Sequence, residues 1–394
     1  MREVFVVEAL RTPFGSFGGV LSELEAPALA GTVMQALLER SALEAAAVDE
    51  VIAGQVLAGG CGQAPARQAM RRAGIPDSTH AMTINKVCGS GLKAIMLAAG
   101  SIMLGDAEVA IAGGMESMSQ APFALKKARY GYRMGHGQLL DLMLYDGLQD
   151  PYSGRHMGEI AEEAVKRHAL GREAQDEFAL RSYQLAQEAV SEGIFADEIV
   201  PVVKKGKHGH GRETVSEDEE PFRVDIARIA DLKPAFGREG ATITAGNAST
   251  INDGAAFALL AGAEAVERYR LRAKARLVAY ATCSMHPDQY TDAPVGAIKA
   301  VCARAGIDPD EIDLFEINEA FAAVPLIAIR ELGLDMKKVN VNGGACALGH
   351  PIGASGARLA ATLVRELQKS GKRYGLASLC IGGGEAVAAI FERV

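Results

Sequence analysis

Four short stretches of this sequence place a nucleophilic or polar side chain beside glycines or at the end of an apolar run. Cys88 lies in VCGSGLKA, and Cys380 precedes three glycines in CIGGG. His350 stands in GGACALGHPIG, and Asn318 opens NEAFA. Glycine allows a backbone N–H to approach a bound molecule closely and tolerates unusual dihedral angles. These residue types indicate nucleophilic chemistry, with a thiol as nucleophile and the imidazole as its base.

Cys88 is the candidate nucleophile. If residues 89–92 begin a helix, its sulfur lies at the helix N-terminus, where free N–H groups and the helix dipole predict a lowered thiol pKa. Each candidate also has a purely structural interpretation. Cys88 and Cys380 could be buried core thiols, His350 a residue of a rigid turn, and Asn318 a loop residue or helix cap.

The composition of the 394 residues is that of an ordinary globular protein, with 49% hydrophobic and 23% charged residues. The net charge of −8 disfavours nucleic acid as a partner, because nucleic-acid binding favours a basic face. We find no uninterrupted apolar run of about 20 residues, and the N-terminal apolar run is too short for a signal peptide. The six cysteines lack the spacing of a zinc site or disulfide framework, so we expect reduced thiols, a cytoplasmic location and no membrane association.

Hydrophobic patterning predicts the elements that must hold these residues. We expect strands at 4–7, 50–56 and 108–112, and helices at 27–40, 64–72, 92–104 and 172–192. The helix at 92–104 is apolar on nearly all faces and should be buried. Residues 255–262 are apolar and could form either a helix or a strand.

Residues from about 120 to 249 differ in character, and we interpret them as an insertion. Within them the polar segment 204–220 is expected to be a solvated surface hairpin or loop. On either side of the insertion the chain repeats itself weakly. VDEVIAGQV (48–56) is similar to DPDEIDLFEIN (308–318), and EVAIAGGMES (108–117) is similar to LASLCIGGGEA (376–386). Such a repeat predicts two similar strand–helix layers packed back to back.

In their order along the chain, the four stretches resemble the signature blocks of the thiolase family, from VEALRTPFGSFGG to CIGGGEAVA. The segments DGLQDPY, EDEEPFRVD and AGNASTINDGAA resemble the mitochondrial type of short-chain acetoacetyl-CoA thiolases. The resemblance implies an α/β protein of the thiolase fold, with two duplicated α/β/α halves packed in five layers. The N-terminal half would span 1–270, with an inserted CoA-binding loop domain at about 120–249, and the C-terminal half 271–394.

The resemblance also implies an acyltransferase that reversibly converts two acetyl-CoA molecules into acetoacetyl-CoA and CoA. Cys88 would carry the acetyl group, His350 would take the Cys88 proton, and Cys380 would act as acid and base at the α-carbon or the CoA thiol. One oxyanion hole would consist of His350 and a water held by Asn318, the other of the N–H groups of Cys88 and Gly382. CoA is a substrate here, and no cofactor is required.

By the same resemblance, residues in and near the insertion would hold CoA. Beside the nucleotide it implies Arg223, Val224, Asp225 and Arg228, and along the pantetheine His156, Met157, Tyr183, Phe236, Ser249 and Phe321. From the residues alone, the two arginines would be solvated charges on a helix face. A potassium ion is also implied near the CoA site, held by Tyr183 and by the backbone of Ala245, Gly246, Ala248 and Cys346.

Two positions bear on specificity. Tyr290 stands in HPDQYTDAPVGA where many bacterial biosynthetic members have methionine, and its bulky ring should close the acyl pocket around an acetyl or acetoacetyl group. Glu385 follows the triple glycine where a small residue, Met or Gln is more usual. The sequence assigns no role to Glu385.

Other functions stay open at this point. A 3-ketoacyl-CoA thiolase of fatty-acid breakdown would act on longer chains, and a Cys–His hydrolase would release a free acid. A ketoacyl synthase would lack the second cysteine, and a catalytically silent relative would serve as a scaffold. The sequence does not reveal the net direction, the tolerance of a 2-methyl group, or the oligomer, which in the family is a homodimer or homotetramer.

Overall fold

The computed structural model describes residues 2–206, 211–237 and 240–394. Its strands are β1 (Val4–Arg11), β2 (Gly15–Ser16), β3 (Glu50–Gly54), β4 (His80–Ile84), β5 (Val109–Ser117), β6 (Phe123–Ala124), β7 (Leu140–Asp141), β8 (Val202–Lys205), β9 (Arg212–Val215), β10 (Asn252–Gly262), β11 (Ala275–Ser284), β12 (Leu314–Ile317), β13 (Tyr374–Ile381) and β14 (Glu385–Arg393). The apolar residues 255–262, which patterning alone left between helix and strand, belong to strand β10.

The helices are α1 (Ala26–Ser41), α2 (Pro65–Arg72), α3 (Ser90–Leu104), α4 (Met157–Arg167), α5 (Arg172–Ser191), α6 (Ala263–Arg268), α7 (Ala293–Ala305), α8 (Ala323–Leu332), α9 (Ala345–Leu348) and α10 (Ser355–Ser370). The four predicted helices correspond to α1, α2, α3 and α5 and are confirmed. Helix α3 ends at Leu104 and is capped by Gly105, whose φ of 88° is the left-handed conformation that glycine favours at a helix C-terminus.

One continuous sheet contains the same strand order twice. In the first half β10 runs antiparallel to β1 and β5, and β3 runs parallel to β5. In the second half β14 runs antiparallel to β11 and β13, and β12 runs parallel to β13. The halves meet where β1 pairs with β11. The segments that echo each other in sequence, β3 with β12 and β5 with β13, therefore occupy equivalent places, as a duplicated fold requires.

The two halves of the sheet and three sets of helices form five layers, and three hydrophobic clusters fill the space between them. The central cluster joins α3 and α10 to both halves of the sheet. On the outer faces, α1 and α2 cover the first half, and α7 and α8 cover the second. Among the described residues one segment, Val87–Leu104, is long and apolar enough to cross a membrane, and 56% of it is buried within the protein. The five-layer arrangement that the resemblance implies is present, and this apolar segment contains the central helix α3.

The insertion adds α4, α5 and two small two-stranded sheets. Strands β8 and β9 form the predicted hairpin, and residues 207–210 between them lie outside the described residues. The expectation that 204–220 is solvated throughout is wrong at its C-terminal end. Asp218 is buried and accepts hydrogen bonds from Arg11 at 2.6 and 2.8 Å, while Glu198 accepts a third at 2.5 Å. A fully buried guanidinium requires such partners, and they attach the insertion to β1.

Candidate active site

One cavity at the junction of the two halves contains Cys88, His350 and Cys380. Cys88 comes from the N-terminal half, and the other two side chains come from the C-terminal half. The cavity has about 780 Å³ of empty space, which includes its opening to solvent. Its remaining lining is mostly apolar and consists of Met118, Gly147, Leu148, His156, Met157, Phe236, Ala248, Ser249, Thr250, Ile251, Tyr290, Ala320, Phe321, Ile352 and Gly382.

Cys88 lies on a sharp turn between β4 and α3. The preceding residue, Val87, has a φ of 47°, which a β-branched residue rarely adopts. The Val87 N–H donates to Asn85 Oδ1 at 2.9 Å, and the Ser90 hydroxyl donates to the Val87 carbonyl at 2.7 Å. These bonds hold a strained turn that places the Cys88 thiol in the cavity, just before the first residue of α3.

The pKa of the Cys88 thiol is raised to about 11, chiefly by burial. The N–H groups of Gly382 and of Cys88 itself lower this pKa, and the Glu116 carboxylate raises it. The lowering expected from the helix N-terminus is therefore wrong in sign, because removal of the thiolate from water outweighs two N–H donors. The N–H groups of Gly382 and Cys88 nevertheless lie within hydrogen-bond reach of the Cys88 sulfur.

His350 is held so that one ring nitrogen is free. Its Nδ1 lies 2.6 Å from the Ser355 hydroxyl, which itself donates to the Pro351 carbonyl at 2.9 Å. A hydroxyl has one hydrogen, so Ser355 accepts from Nδ1–H and Nε2 carries no proton. Within the described residues Nε2 is buried without a hydrogen-bond partner. Burial, and then the Arg358 charge, lower the His350 pKa to about 3, so the ring is neutral and Nε2 is available as a base.

Cys380 is the next-to-last residue of β13 and is 1% exposed. Burial, and then the neighbouring Cys88, raise the pKa of its thiol well above the ordinary value. Burial and both thiols raise the pKa of Tyr290 in the same way, and the Tyr290 hydroxyl donates to the Met157 carbonyl at 2.9 Å. The two sulfurs and the Tyr290 ring therefore surround one small apolar space.

Asn318 follows β12 and is completely buried. Its N–H donates to the Ser378 carbonyl at 3.0 Å, but neither side-chain amide atom has a partner among the described residues. Buried amide atoms are normally bonded to protein or to an ordered water. The adjacent Glu319 differs, because its carboxylate accepts from the Ser182 hydroxyl at 2.7 Å and the Cys346 N–H at 3.0 Å. Glu319 thus has a structural role, whereas Asn318 offers free polar atoms.

Three aromatic rings form one wall of the cavity. His156 caps helix α4 with its Nδ1, which accepts the Gly158 N–H at 3.0 Å, and its ring stacks on Phe236 at 4.6 Å between centroids. Phe236 in turn meets the edge of Phe321 at 6.1 Å. A Cβ at Gly158 would lie 2.4 Å from the Phe236 ring, so only glycine allows this packing. The three rings therefore give this side of the cavity a closely packed, mostly apolar wall.

The other predicted CoA residues fall into two groups. Met157 and Ser249 line the cavity, and the Ser249 hydroxyl donates to the Ala320 carbonyl at 3.1 Å. The nucleotide candidates lie near the surface and outside the cavity lining: Arg223, Val224, Asp225 and Arg228. Arg223 forms an ion pair with Glu219 at 3.6 Å. The structure therefore brings five of the six pantetheine candidates together with the thiols, and leaves Tyr183 and the nucleotide candidates outside the cavity lining.

Tyr183 is buried on α5 and lies outside the cavity lining. Its hydroxyl has no partner among the described residues, and burial, then Cys346, raise its pKa. The backbone of Ala245, Gly246 and Ala248 belongs to a loop in which Ala248 pairs with Phe321. The described residues contain no group of three His, Cys, Asp or Glu side chains that could hold a metal ion. A potassium ion held by carbonyl oxygens would not need such a group.

Sequence reasoning missed Glu116, a buried carboxylate that joins three segments around the site. It accepts the N–H groups of Val56 at 2.9 Å, Leu57 at 3.0 Å and Gly353 at 2.9 Å. Burial raises its pKa to about 7, although these N–H groups oppose the rise. The available signal was an acidic residue directly after the buried GGM of β5. Ser355, which orients His350, was also missed.

Comparisons with known proteins agree with this geometry. Residues 4–264 match the family model of the thiolase N-terminal domain, and residues 271–393 match that of the thiolase C-terminal domain. The chain belongs to the thiolase family. Among solved structures, this thiolase is similar to the Bacillus anthracis acetyl-CoA acetyltransferase, with a TM-score of 0.97 and 42% identity over 100% of this chain and 99% of that one.

Curated relatives of this thiolase share its full length. It is 48% identical to the acetyl-CoA acetyltransferase of Chromobacterium violaceum, over 99% of this chain and 100% of the relative. It is also 48% identical to that of Cupriavidus necator, over 100% of both chains. The probable acetyl-CoA acetyltransferase of Escherichia coli is 46% identical over the same full extent.

Proposed function

We propose that this thiolase is an acetyl-CoA C-acetyltransferase, which reversibly converts two acetyl-CoA molecules into acetoacetyl-CoA and CoA. The observation that carries the proposal is the meeting of Cys88, His350 and Cys380 in one cavity beside the buried Tyr290 ring. Full-length relatives named acetyl-CoA acetyltransferase support the same activity. A hydrolase or a silent scaffold would give the second thiol no function.

In the first half-reaction Cys88 attacks the thioester carbonyl of acetyl-CoA. The Cys88 proton moves to the free Nε2 of His350, a carbon–sulfur bond to Cys88 forms, and the carbon–sulfur bond to CoA breaks. The departing CoA sulfur takes the proton of Cys380. The cavity then holds acetyl-Cys88, protonated His350 and the thiolate of Cys380.

In the second half-reaction Cys380 removes a proton from the α-carbon of a second acetyl-CoA. The carbanion attacks the acetyl carbonyl, a carbon–carbon bond forms, and the bond to Cys88 breaks. Cys88 recovers its proton from His350, so every group returns to its starting state. Because burial raises the pKa of Cys380, its thiolate is a strong base, as a weakly acidic carbon demands.

Two sets of donors would stabilise the negative oxygens. The N–H groups of Cys88 and Gly382 would donate to the carbonyl oxygen of acetyl-Cys88. Protonated His350, through Nε2–H, and a water held by Asn318 would donate to the enolate oxygen. Each such donor is worth about 3–4 kcal/mol in other enzymes. The buried amide atoms of Asn318 and the buried Nε2, none of them bonded to described residues, support this assignment.

The pantetheine arm of CoA would pass between Met157, Ser249 and the ring wall of His156, Phe236 and Phe321. The nucleotide would lie outside the cavity near Arg223, Val224, Asp225 and Arg228. The exposed positive charges of Arg223 and Arg228 suit its phosphates. Tyr290 would limit the acyl group to a short chain. For this reason, and because the relatives carry the acetyl name, the alternative of a longer-chain 3-ketoacyl-CoA thiolase is not favoured.

The test is the loss of acetoacetyl-CoA with added CoA, followed for the wild type and for Cys88→Ala. We expect activity in the first and none in the second, with an acetyl adduct on Cys88 detectable by mass spectrometry after incubation with acetyl-CoA. Cys61→Ala is the matched control, because Cys61 is a half-buried thiol outside the cavity. Full activity of Cys88→Ala would refute the assignment of the nucleophile.

We also propose that potassium binds through Tyr183 and the backbone of Ala245, Gly246, Ala248 and Cys346. The buried Tyr183 hydroxyl, which lacks a partner among the described residues, supports this site. Equal activity in sodium-only and potassium buffers, with no change in melting temperature between them, would contradict it.

The proposed assembly is a homodimer or homotetramer in the cytoplasm that serves fatty-acid metabolism. Support for self-association comes from several apolar side chains that the β6–β7 loop exposes, among them Tyr130, Met134 and Leu139 at 89, 97 and 61%. All six cysteines are free thiols, which suits a reducing compartment. Light scattering of the purified chain tests the oligomer, since a monomer at micromolar concentration would contradict it.

A further inference from the structure

An ion pair links the two catalytic loops across the boundary between the halves. Lys86 lies two residues before the nucleophile, and its ammonium group is bonded to the Glu385 carboxylate. The Ser284 hydroxyl donates to the other oxygen of that carboxylate at 3.0 Å. Lys86 and Glu385 are 299 positions apart in the chain, so only the assembled fold brings them together.

The Glu385 end of this pair is fixed to the loop that follows the second thiol. Glu385 begins β14 and pairs in register with Ile381, the residue after Cys380. Between them Gly383 and Gly384 have φ values of 93° and 90°, which residues other than glycine rarely adopt. The loop is therefore closely defined, and the Glu385 carboxylate has a set position relative to Cys380.

The Lys86 end is fixed to the turn that presents the nucleophile. The Lys86 N–H donates to the Ser90 hydroxyl at 2.8 Å, and its carbonyl accepts the Gly89 N–H at 3.1 Å. The next residue is Val87, in its left-handed conformation. A strained turn keeps its geometry only where its surroundings hold it, and the Lys86 side chain supplies a contact from outside the turn.

We propose that Lys86 and Glu385 are positioning residues, whose ion pair keeps the Cys88 turn aligned with the Cys380 loop during acetyl transfer. This inference rests on the proposed function. The alignment matters because the Gly382 N–H, on the Cys380 loop, acts on the Cys88 sulfur. Since the two opposite charges largely cancel, the pair acts through position rather than through its field at the thiol.

The test compares charge variants with a matched control on the same strand. Glu385→Gln removes the carboxylate charge. Lys86→Glu and Glu385→Lys each place two like charges together. The double variant, which combines Lys86→Glu with Glu385→Lys, restores an ion pair with the charges exchanged. Glu392→Gln is the control, because Glu392 also lies on β14 and bonds Arg276 at 2.5 Å, but at the end of the strand remote from the Cys380 loop. Each protein is assayed for kcat, for KM of CoA, and for melting temperature.

We expect Glu385→Gln to lower kcat about tenfold with KM of CoA changed by less than about twofold, since misplacements of about 1 Å can cost up to about 100-fold. Its melting temperature should fall no more than that of Glu392→Gln. The reversed pair should recover most of the kcat lost in each single reversal, a rescue that a general loss of stability would not produce. A reversed pair as slow as the single variants would overturn the proposal.

A second measurement does not depend on the reaction itself. The rate at which iodoacetamide alkylates Cys88, located by peptide mass spectrometry, reports the geometry of the turn. It should change at least about threefold in Glu385→Gln and stay at the wild-type value in Glu392→Gln. Wild-type alkylation and wild-type kcat in Glu385→Gln would overturn the ion-pair proposal alone. An inactive wild type would overturn the proposed function, and the alkylation rates would still decide the role of the pair.

Discussion

Cys88 should rest as a neutral thiol, and this prediction can be worked out from the site. The pKa of Cys88 is about 11 and that of His350 about 3, both shifted mainly by burial. Moving the proton from one to the other in the resting enzyme therefore costs about 11 kcal/mol. The attraction of the resulting charges offsets only about 4 kcal/mol at a separation of about 4 Å. We therefore expect a neutral thiol and a neutral imidazole in the resting enzyme.

The assay is the far-ultraviolet absorbance of a thiolate, taken as the difference between wild type and Cys88→Ala over a pH titration. About one thiol in ten thousand should be ionised at pH 7, so no band should be visible there. The band should be half developed near pH 11. The reference is the same pair of proteins in denaturant, where Cys88 should ionise near its ordinary pKa of 9.0.

A thiolate band at neutral pH, or a transition in the folded protein below that of the denatured protein, would refute this reasoning. It would mean that the N–H groups of Gly382 and Cys88 outweigh burial, as the helix N-terminus alone suggested. The proton transfer to His350 would then precede the arrival of substrate. With a neutral resting pair, the transfer must accompany the attack on the thioester.

Three further predictions concern the acyl pocket, the hydrogen bonds of Glu116 and the packing of helix α3. Tyr290→Met should raise the rate on 3-ketohexanoyl-CoA relative to acetoacetyl-CoA by at least about tenfold. The reason is that room for one more methylene in the acyl pocket is worth about 1–3 kcal/mol. An unchanged ratio of the two rates would contradict the proposal that Tyr290 limits the acyl chain length. Glu116→Gln should lose about 1–3 kcal/mol of stability in denaturant titrations, because one N–H loses its acceptor. Burial raises the pKa of Glu116 from 4.5 to about 7, so the folded protein binds the Glu116 proton more tightly than the unfolded chain does. The free energy of unfolding of the wild type should therefore fall as pH rises through that window. A variant whose free energy of unfolding has the same dependence on pH would contradict this. Gly91→Ala should lower both melting temperature and kcat, because its Cβ would lie 2.8 Å from the Ala357 nitrogen, whereas Gly100→Ala on the same helix meets only an ordinary contact at 3.5 Å and should be tolerated.

The duplication was readable from sequence because each half repeats two apolar runs, and the second run of each half leads into glycines. Those runs became β3, β5, β12 and β13, in equivalent places. The candidate catalytic side chains could be proposed for a related reason, since a reactive group beside glycine is a local pattern. The protonation state of Cys88, by contrast, is not determined by its neighbours in the sequence. It depends on burial by Met118, Ile352 and other residues far along the chain, and the prediction from the helix N-terminus failed for that reason.

The contacts that set the geometry of the site are equally remote from one another in sequence. Glu116 bonds Gly353 across 237 positions, and Lys86 bonds Glu385 across 299. Patterning cannot assign a partner at such separations, because an acidic residue has the same local signature whether it is solvated or buried. Asp218 shows the same limit, since the polar run that contains it predicts exposure at a position where the fold buries it.

The central helices explain why these separations matter. Helix α3 begins two residues after Cys88, and α10 begins five residues after His350. A Cβ at Gly91 would lie 2.8 Å from the Ala357 backbone, and a Cβ at Gly356 would lie 2.5 Å from that of Leu92, so the two helices meet at backbone contact. The contact fixes the nucleophile relative to its base. Because neither group is charged at rest, no strong attraction would hold them together, and the tight helix packing would position them for the proposed proton transfer.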